Sequence, residues 1–239
     1  MTNLQFIGRR FFDIFRFFPK RVERIFFHFW FFRYVKKVSN QITRPLHLVI
    51  IWSLELLILV AELFGIGEIY DIAITLFKRS AGPLSSSQLQ EAIRFYGDHP
   101  IFRKVRIDEQ AKIGTGKWST AYVSCFTINT GAPIAKEVLI HELVHVIQYR
   151  KYGLRYMTRA IYGQQWGKGY NYGGIQGLLA WQTPTNQEKY FFNPEQEAEF
   201  ITDLYLLSQK KEPGYFGRDL LVSDMDLEPD KVLQLNDLG

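Results

Sequence analysis

The chain has 239 residues, 47% of them hydrophobic, with a formal net charge of +5, enough material for one catalytic domain plus an appendage. Its one cysteine, Cys125, excludes an internal disulfide and a cysteine-rich metal site. Cys125 itself reads as a small buried residue of a strand rather than a catalytic thiol.

Charge is unevenly spread. Residues 1–44 hold ten Lys or Arg against Asp13 and Glu23, a net +8, so the remainder nets −3. Eleven Phe and Trp30 are interleaved with those cations, in blocks such as Phe11-Phe12, Phe17-Phe18, Phe26-Phe27 and Phe31-Phe32. Large aromatics beside cations suit an anionic bilayer surface, where rings sit at the interface and Lys or Arg reach phosphates. Basic and aromatic residues also suit nucleic acid, but Phe in such blocks needs burial in protein or lipid, so no nucleic-acid partner is expected. The short, interrupted apolar runs do not make a signal peptide.

Residues 46–66 have about the length that spans a bilayer as a helix, with Pro45 at the start and Gly65 and Gly67 at the end. Glu55 and Glu62 offset the apolar gain, leaving an insertion free energy near zero. Seven apart, they share one face, so the helix can instead lie in the interface or pack on residues 1–44. Either arrangement predicts membrane association with a cytoplasmic N-terminus. A single span sends the rest of the chain across; a flat helix keeps it cytoplasmic.

Residues 67–78 continue as a helix, and 81–87 (Ala-Gly-Pro-Leu-Ser-Ser-Ser) read as a linker. The organisation expected is therefore a helical membrane-associating region over 1–79 and a second domain over 80–239. Ser87 and Gln90 have capping-box spacing for a short helix ending at Gly97. Residues 102–107 and 119–128 read as strands, paired with each other, one of them a candidate edge for extended peptide.

Residues 139–148 (Leu-Ile-His-Glu-Leu-Val-His-Val-Ile-Gln) contain His-Glu-x-x-His. Pro133 before and Gly153 after bracket a helix, apolar residues recur three and four apart, and Arg150 and Lys151 favour its C-terminus. His141 and His145, four apart on one face, can grip one metal ion. Glu142, about 100° round the helix, can reach a water on that ion as general base.

Residues 154–192 are rich in Gly, Tyr, Gln and Trp. Their Gly spacing is not that of a phosphate-binding loop, which argues against nucleotide chemistry. They read as a mobile loop over a cleft, with Tyr170 or Tyr172 as an oxyanion donor. A second helix begins at Asn193, with Pro194 at its first position and Gln196 at capping-box spacing. A catalytic zinc takes three protein ligands and leaves a place for water, so an acid from this helix is a natural third. Stepping 100° per residue puts Ala198, Ile201, Thr202 and Tyr205 in one packing stripe with Glu195 and Glu199 on its margin. Glu195 is the preferred ligand, with Glu199 orienting a zinc-bound histidine from behind, and Glu197, on the opposite margin, the alternative. Residues 210–239 read as an acidic tail.

His141-Glu142-Leu143-Val144-His145 followed by Glu195-Gln196-Glu197-Ala198-Glu199 resembles the gluzincin metallopeptidases, and the Glu-x-x-Ala-acid pattern is similar to their M48 branch of membrane proteases. The resemblance implies Glu195 as third ligand and Glu199 as the supporting acid, although M48 proteins usually carry Asp at the latter position. Gln148 makes the chain also similar to small bacterial zincin-like domains with His-Glu-x-x-His-x-x-Gln. The resemblance covers the two helices and the strand region before them, and leaves out the N-terminal third.

The expected fold is α+β, a zincin-like domain with a small sheet and active-site helices behind a helical N-terminal region. The expected function is a membrane-associated metallopeptidase with one Zn2+ ion, hydrolysing a protein or peptide substrate. The alternatives are a catalytically silent zincin-like module that binds a partner at the membrane, and a metal-free adaptor acting through its aromatic-basic segment.

Overall fold

The structure, a computed structural model, describes residues 2–30, 45–78, 80–112, 114–116, 120–174 and 193–215. Phe31, Phe32, the whole stretch 175–192, and nearly all of the acidic tail lie outside the described residues. Among the described residues the architecture is α+β, with eight α-helices and a mixed four-stranded sheet. The chain divides into two compact units, each assembled from separated stretches.

The described residues of the first unit are 2–17 and 65–153. Its helices are α1 (Asn3–Arg16), α4 (Ile66–Phe77), α5 (Ser86–Tyr96) and α6 (Lys136–Tyr152). The sheet runs in the order β1-β2-β4-β3, from Ala81–Pro83, Arg106–Asp108, Thr127–Thr130 and Ala121–Ser124. β1 is antiparallel to β2, β2 parallel to β4, and β3 antiparallel to β4, so β1 and β3 are the two edges. Three expectations are corrected here. The linker starts as strand β1, because Arg106 is buried and donates to the Ala81 carbonyl (2.5 Å) while Lys78 pairs with Asp108. Phe102–Lys104 forms a 3-10 turn, and only Arg106–Asp108 joins the sheet. Residues 119–128 are not one strand: Ser124 and Thr127 close a two-residue hairpin turn in which Cys125, buried, takes a φ of 57°. The capping box of α5 also falls two residues earlier than expected, on Ser85 and Gln88, although Gly97 does end the helix.

Arg10 of α1 organises this unit. Its guanidinium, 3% exposed as a residue, pairs with Asp13 (3.2 Å), Glu68 (3.3 Å) and Asp71 (2.8 Å) and donates to the Tyr149 hydroxyl (3.0 Å). Asp71 in turn accepts from the Phe126 amide at the hairpin turn. Gly67 is needed because a Cβ there would stand 2.5 Å from the Tyr149 hydroxyl oxygen.

The second unit holds α2 (Phe18–Phe29), α3 (Pro45–Leu63), α7 (Arg155–Trp166) and α8 (Pro194–Ser208). Residues 155–166, expected as loop, are helix α7, which runs along α3. Leu154 N–H donates to Glu62 (2.5 Å), Arg159 forks onto Glu55 (2.7 and 3.2 Å), and the Tyr162 hydroxyl meets His47 (3.2 Å). The α2–α3 contact is a reciprocal pair, His28 Nε2 with the Trp52 carbonyl (2.9 Å) and Trp52 Nε1 with the His28 carbonyl (3.0 Å), with the two rings stacked.

Arg10→Met leaves three buried carboxylates without this cation and is expected to cost about 3–5 kcal/mol of stability. Denaturant unfolding of the full chain in detergent would measure it, with the exposed neighbour substitution Arg9→Met within about 0.5 kcal/mol of wild type.

Candidate metal centre

Helix α6 is the predicted His-Glu-x-x-His helix. It starts three residues after Pro133, at Lys136, and ends on Gly153, whose φ of 71° suits a residue without Cβ. Burial exceeds the amphipathic expectation: Leu139, Ile140, Leu143, Val144, Val146 and Ile147 are all at or below 1% exposure, so the helix is enclosed on nearly every side. The Tyr96 hydroxyl donates to the Ile140 carbonyl (2.8 Å) and Lys136 Nζ pairs with Glu91 (2.6 Å), fixing α6 on α5 just before His141.

His141 is half-buried and His145 buried, with ring centroids 5.1 Å apart. His145 Nδ1 lies 2.8 Å from Gln148 Oε1, one turn along the same helix. An amide oxygen can only accept, so Nδ1 carries the proton and Nε2 keeps its lone pair for a metal. Gln148 thus orients the His145 ring. Its i+3 spacing was visible, but the tautomer it sets was not. Glu142, one residue after His141, is buried.

The ligand helix α8 forms as its sequence dictates. Asn193 Oδ1 accepts from the amides of Glu195 and Gln196 (both 2.9 Å), the Gln196 side chain returns to the Asn193 amide, and Pro194 occupies the first helical position. The predicted stripe of Ala198, Ile201, Thr202 and Tyr205 is buried, but so are Phe200, Asp203 and Leu204 beside it; Glu195 is 4% exposed and Glu197 half-buried. Gly163 of α7 sets the position of this cap. A Cβ on Gly163 would stand 2.7 Å from Asn193 Cγ, so only glycine admits the cap so closely.

One ligating atom from each of His141, His145 and Glu195 lies within 4.8 Å of the other two. Glu197 and Glu199 are not members of that group. Glu199, half-buried, directs Oε1 toward Gly214, 3.2 Å from where a Cβ there would be. Two imidazoles and one carboxylate, one imidazole held in the ligating tautomer, form a donor set that fits a divalent transition ion such as zinc and leaves coordination for water.

Sequence reading missed Asp203. Fully buried, it accepts from the Tyr172 hydroxyl (2.5 Å) and from the amides of Gly214 (2.6 Å) and Tyr215 (2.9 Å), tying the chain on both sides of α8 to the helix. Burial pushes the Asp203 carboxyl above its usual range, against the pull of those donors, and burial together with the Asp203 hydrogen bond raises the Tyr172 hydroxyl. The Tyr172 proton is thus engaged on Asp203, while the Tyr170 hydroxyl accepts from Gln164 (3.0 Å) at the surface. An acid two turns beyond Glu195 carried no motif spacing that could have marked it.

Comparison with protein-family models, with curated proteins and with solved structures found no match.

Gly163→Ala is expected to cost about 1–3 kcal/mol through overpacking against the cap, and Asn193→Ala about 1 kcal/mol through loss of the capping bonds. Thermal unfolding of the full chain measures both. The double variant should fall short of additivity, because the alanine at 193 relieves the clash.

Proposed function

We propose that this chain is a membrane-associated, metal-dependent peptidase whose ion is held by His141, His145 and Glu195. The observation that carries the proposal is the convergence of those three donors within 4.8 Å on a His-Glu-x-x-His helix. Gln148 supports it by engaging Nδ1 of His145, so that Nε2 is the ring nitrogen that would ligate. Zinc is the ion proposed; when bound, it would polarise the scissile carbonyl and acidify a water. Glu142 takes the proton from that water on its carboxylate and passes it to the leaving amine. It stands next to His141 on α6 and is 5% exposed, so the carboxylate is held largely away from bulk water. Gln148 holds the His145 ring against rotation, and the Asn193 cap holds the first turn of α8, where Glu195 sits. The substrate is a protein or peptide, and the N-terminal helices meet lipid.

Metal analysis of the purified full-length protein is expected to give about one zinc per chain. The amount should be retained by Glu142→Gln and Glu197→Gln and lost in Glu195→Gln. Hydrolysis of unstructured protein substrates should fall by about 10^2–10^4-fold in Glu142→Gln. Wild-type metal with no hydrolysis by any variant would favour a silent metal-binding module. No metal in folded protein, even after incubation with excess zinc, would overturn the proposal.

A further inference from the structure

The helices of the N-terminal third are built inside out. On α1, Arg10 and Asp13 are buried, while Leu4, Phe11, Phe12 and Phe15 are 58–80% exposed. Its partner α4 buries Glu68, Asp71 and Thr75 and exposes Ile66, Ile69, Leu76 and Phe77. The other unit repeats the pattern. Helix α2 buries Arg21 and His28 beneath exposed Phe18, Phe26, Phe27 and Phe29, and α3 buries Glu55 and Glu62 beneath exposed Leu46, Val49, Leu54 and Leu57. Some apolar residues are buried, Phe6 on α1 and Ile51 and Leu59 on α3, but in water this arrangement leaves most of the large apolar side chains named above exposed while it desolvates ions. In hydrocarbon both terms change sign: apolar side chains face the solvent they prefer, and charges pair internally.

How deep such helices go is limited by length and by what they carry. At 1.5 Å per residue, α1, α2 and α4 reach about 18–21 Å, short of the roughly 30 Å hydrocarbon core. Among the described residues, Pro45–Leu63 is the helix long and apolar enough to cross. Yet α7 lies along that helix through Leu154–Glu62, Arg159–Glu55 and Tyr162–His47. A transmembrane α3 would carry α7 into the core, with Gln164 and Gln165 on an exposed face. It would also carry Gly163, against which the cap of the ligand helix is packed. Exposed Arg9, Arg16 and Lys20 sit among the exposed Phe, and Arg150 lies 4.4 Å over the Phe17 ring. Cations at that level match lipid phosphates.

We propose that α1–α4 seat the protein in a single leaflet of an anionic bilayer, apolar faces among the acyl chains and no segment crossing, so that the N-terminus and the metal helices stay on one side. The proposal rests on the membrane association stated above, and it makes the enzyme one that acts at the surface on the side where it is made.

The test mixes full-length protein, carrying an N-terminal epitope tag and Gln90→Cys, with preformed sealed vesicles of phosphatidylcholine with or without phosphatidylglycerol. Flotation is expected with the anionic vesicles, with at least about tenfold weaker partition for the exposed double variant Phe12→Ser, Phe15→Ser. External protease should remove the tag, and membrane-impermeant maleimide should label position 90, both without detergent. Flotation with the tag or position 90 protected until detergent is added would overturn the single-leaflet arrangement while leaving membrane association standing. No flotation, or a defined soluble dimer that ignores vesicles, would overturn both and identify the apolar faces as a protein interface. Metal content, measured on the same samples, separates either failure from a failure of the metal site.

Discussion

A buried carboxylate needs a cation or hydrogen-bond donors, and the pairing of Glu55 with Arg159 is where that requirement shapes its unit most. Glu55 is fully buried on a mostly apolar helix, and Arg159 forks onto it from α7. Removing either partner strands a charge away from water, so the two helices stay in register. With α7 so placed, Gly163 on it meets Asn193, and Asn193 starts the helix that presents Glu195. The ligand is thus held through a series of contacts that begins with an ion pair. Each member looks unremarkable by itself: an acid in an apolar run, a glycine in a helix, an asparagine before a proline.

The other unit solves a related problem with Arg10. One guanidinium serves three carboxylates and the hydroxyl of Tyr149, which lies one turn beyond His145 on α6. The N-terminal helix is therefore part of the structure that supports the helix bearing His141 and His145. This explains why α6 is enclosed far along its length: sheet, α4 and α5 all belong to the same unit, and β3, β4 and α5 pack directly on α6. A histidine pair in so tight a setting has little rotational freedom, and the Gln148 bond removes more of it. Preorganised imidazoles lose less entropy when they bind a metal.

Much of the site was legible because its signals are local. Four-residue spacing puts His141 above His145, a capping box starts α8, and rotation by 100° per residue separates Glu195 from Glu197. The failures fell where local signals were weak or misleading. Ser87 and Gln90 have the same cap spacing as Ser85 and Gln88, and the sequence does not rank them; the structure uses the earlier pair. Residues 155–166 looked like loop because Gly163 lowers helix propensity, yet that glycine is required by Asn193. The strand read across residues 119–128 hid a hairpin, since Cys125 carries none of the Gly, Asn or Asp signals that mark a turn.

By itself the sequence determined the α+β class, the helices that carry His141, His145 and Glu195 with their start and stop signals, and a basic aromatic N-terminus at odds with water. Each follows from periodicity, spacing or composition within about twenty residues. Only tertiary structure decided which buried ions pair, since Glu55 finds its cation 104 positions away and Arg10 finds a tyrosine 139 positions away. It also decided which face of each N-terminal helix turns outward. Composition shows that charges and phenylalanines alternate; partners for the charges decide which of the two is buried.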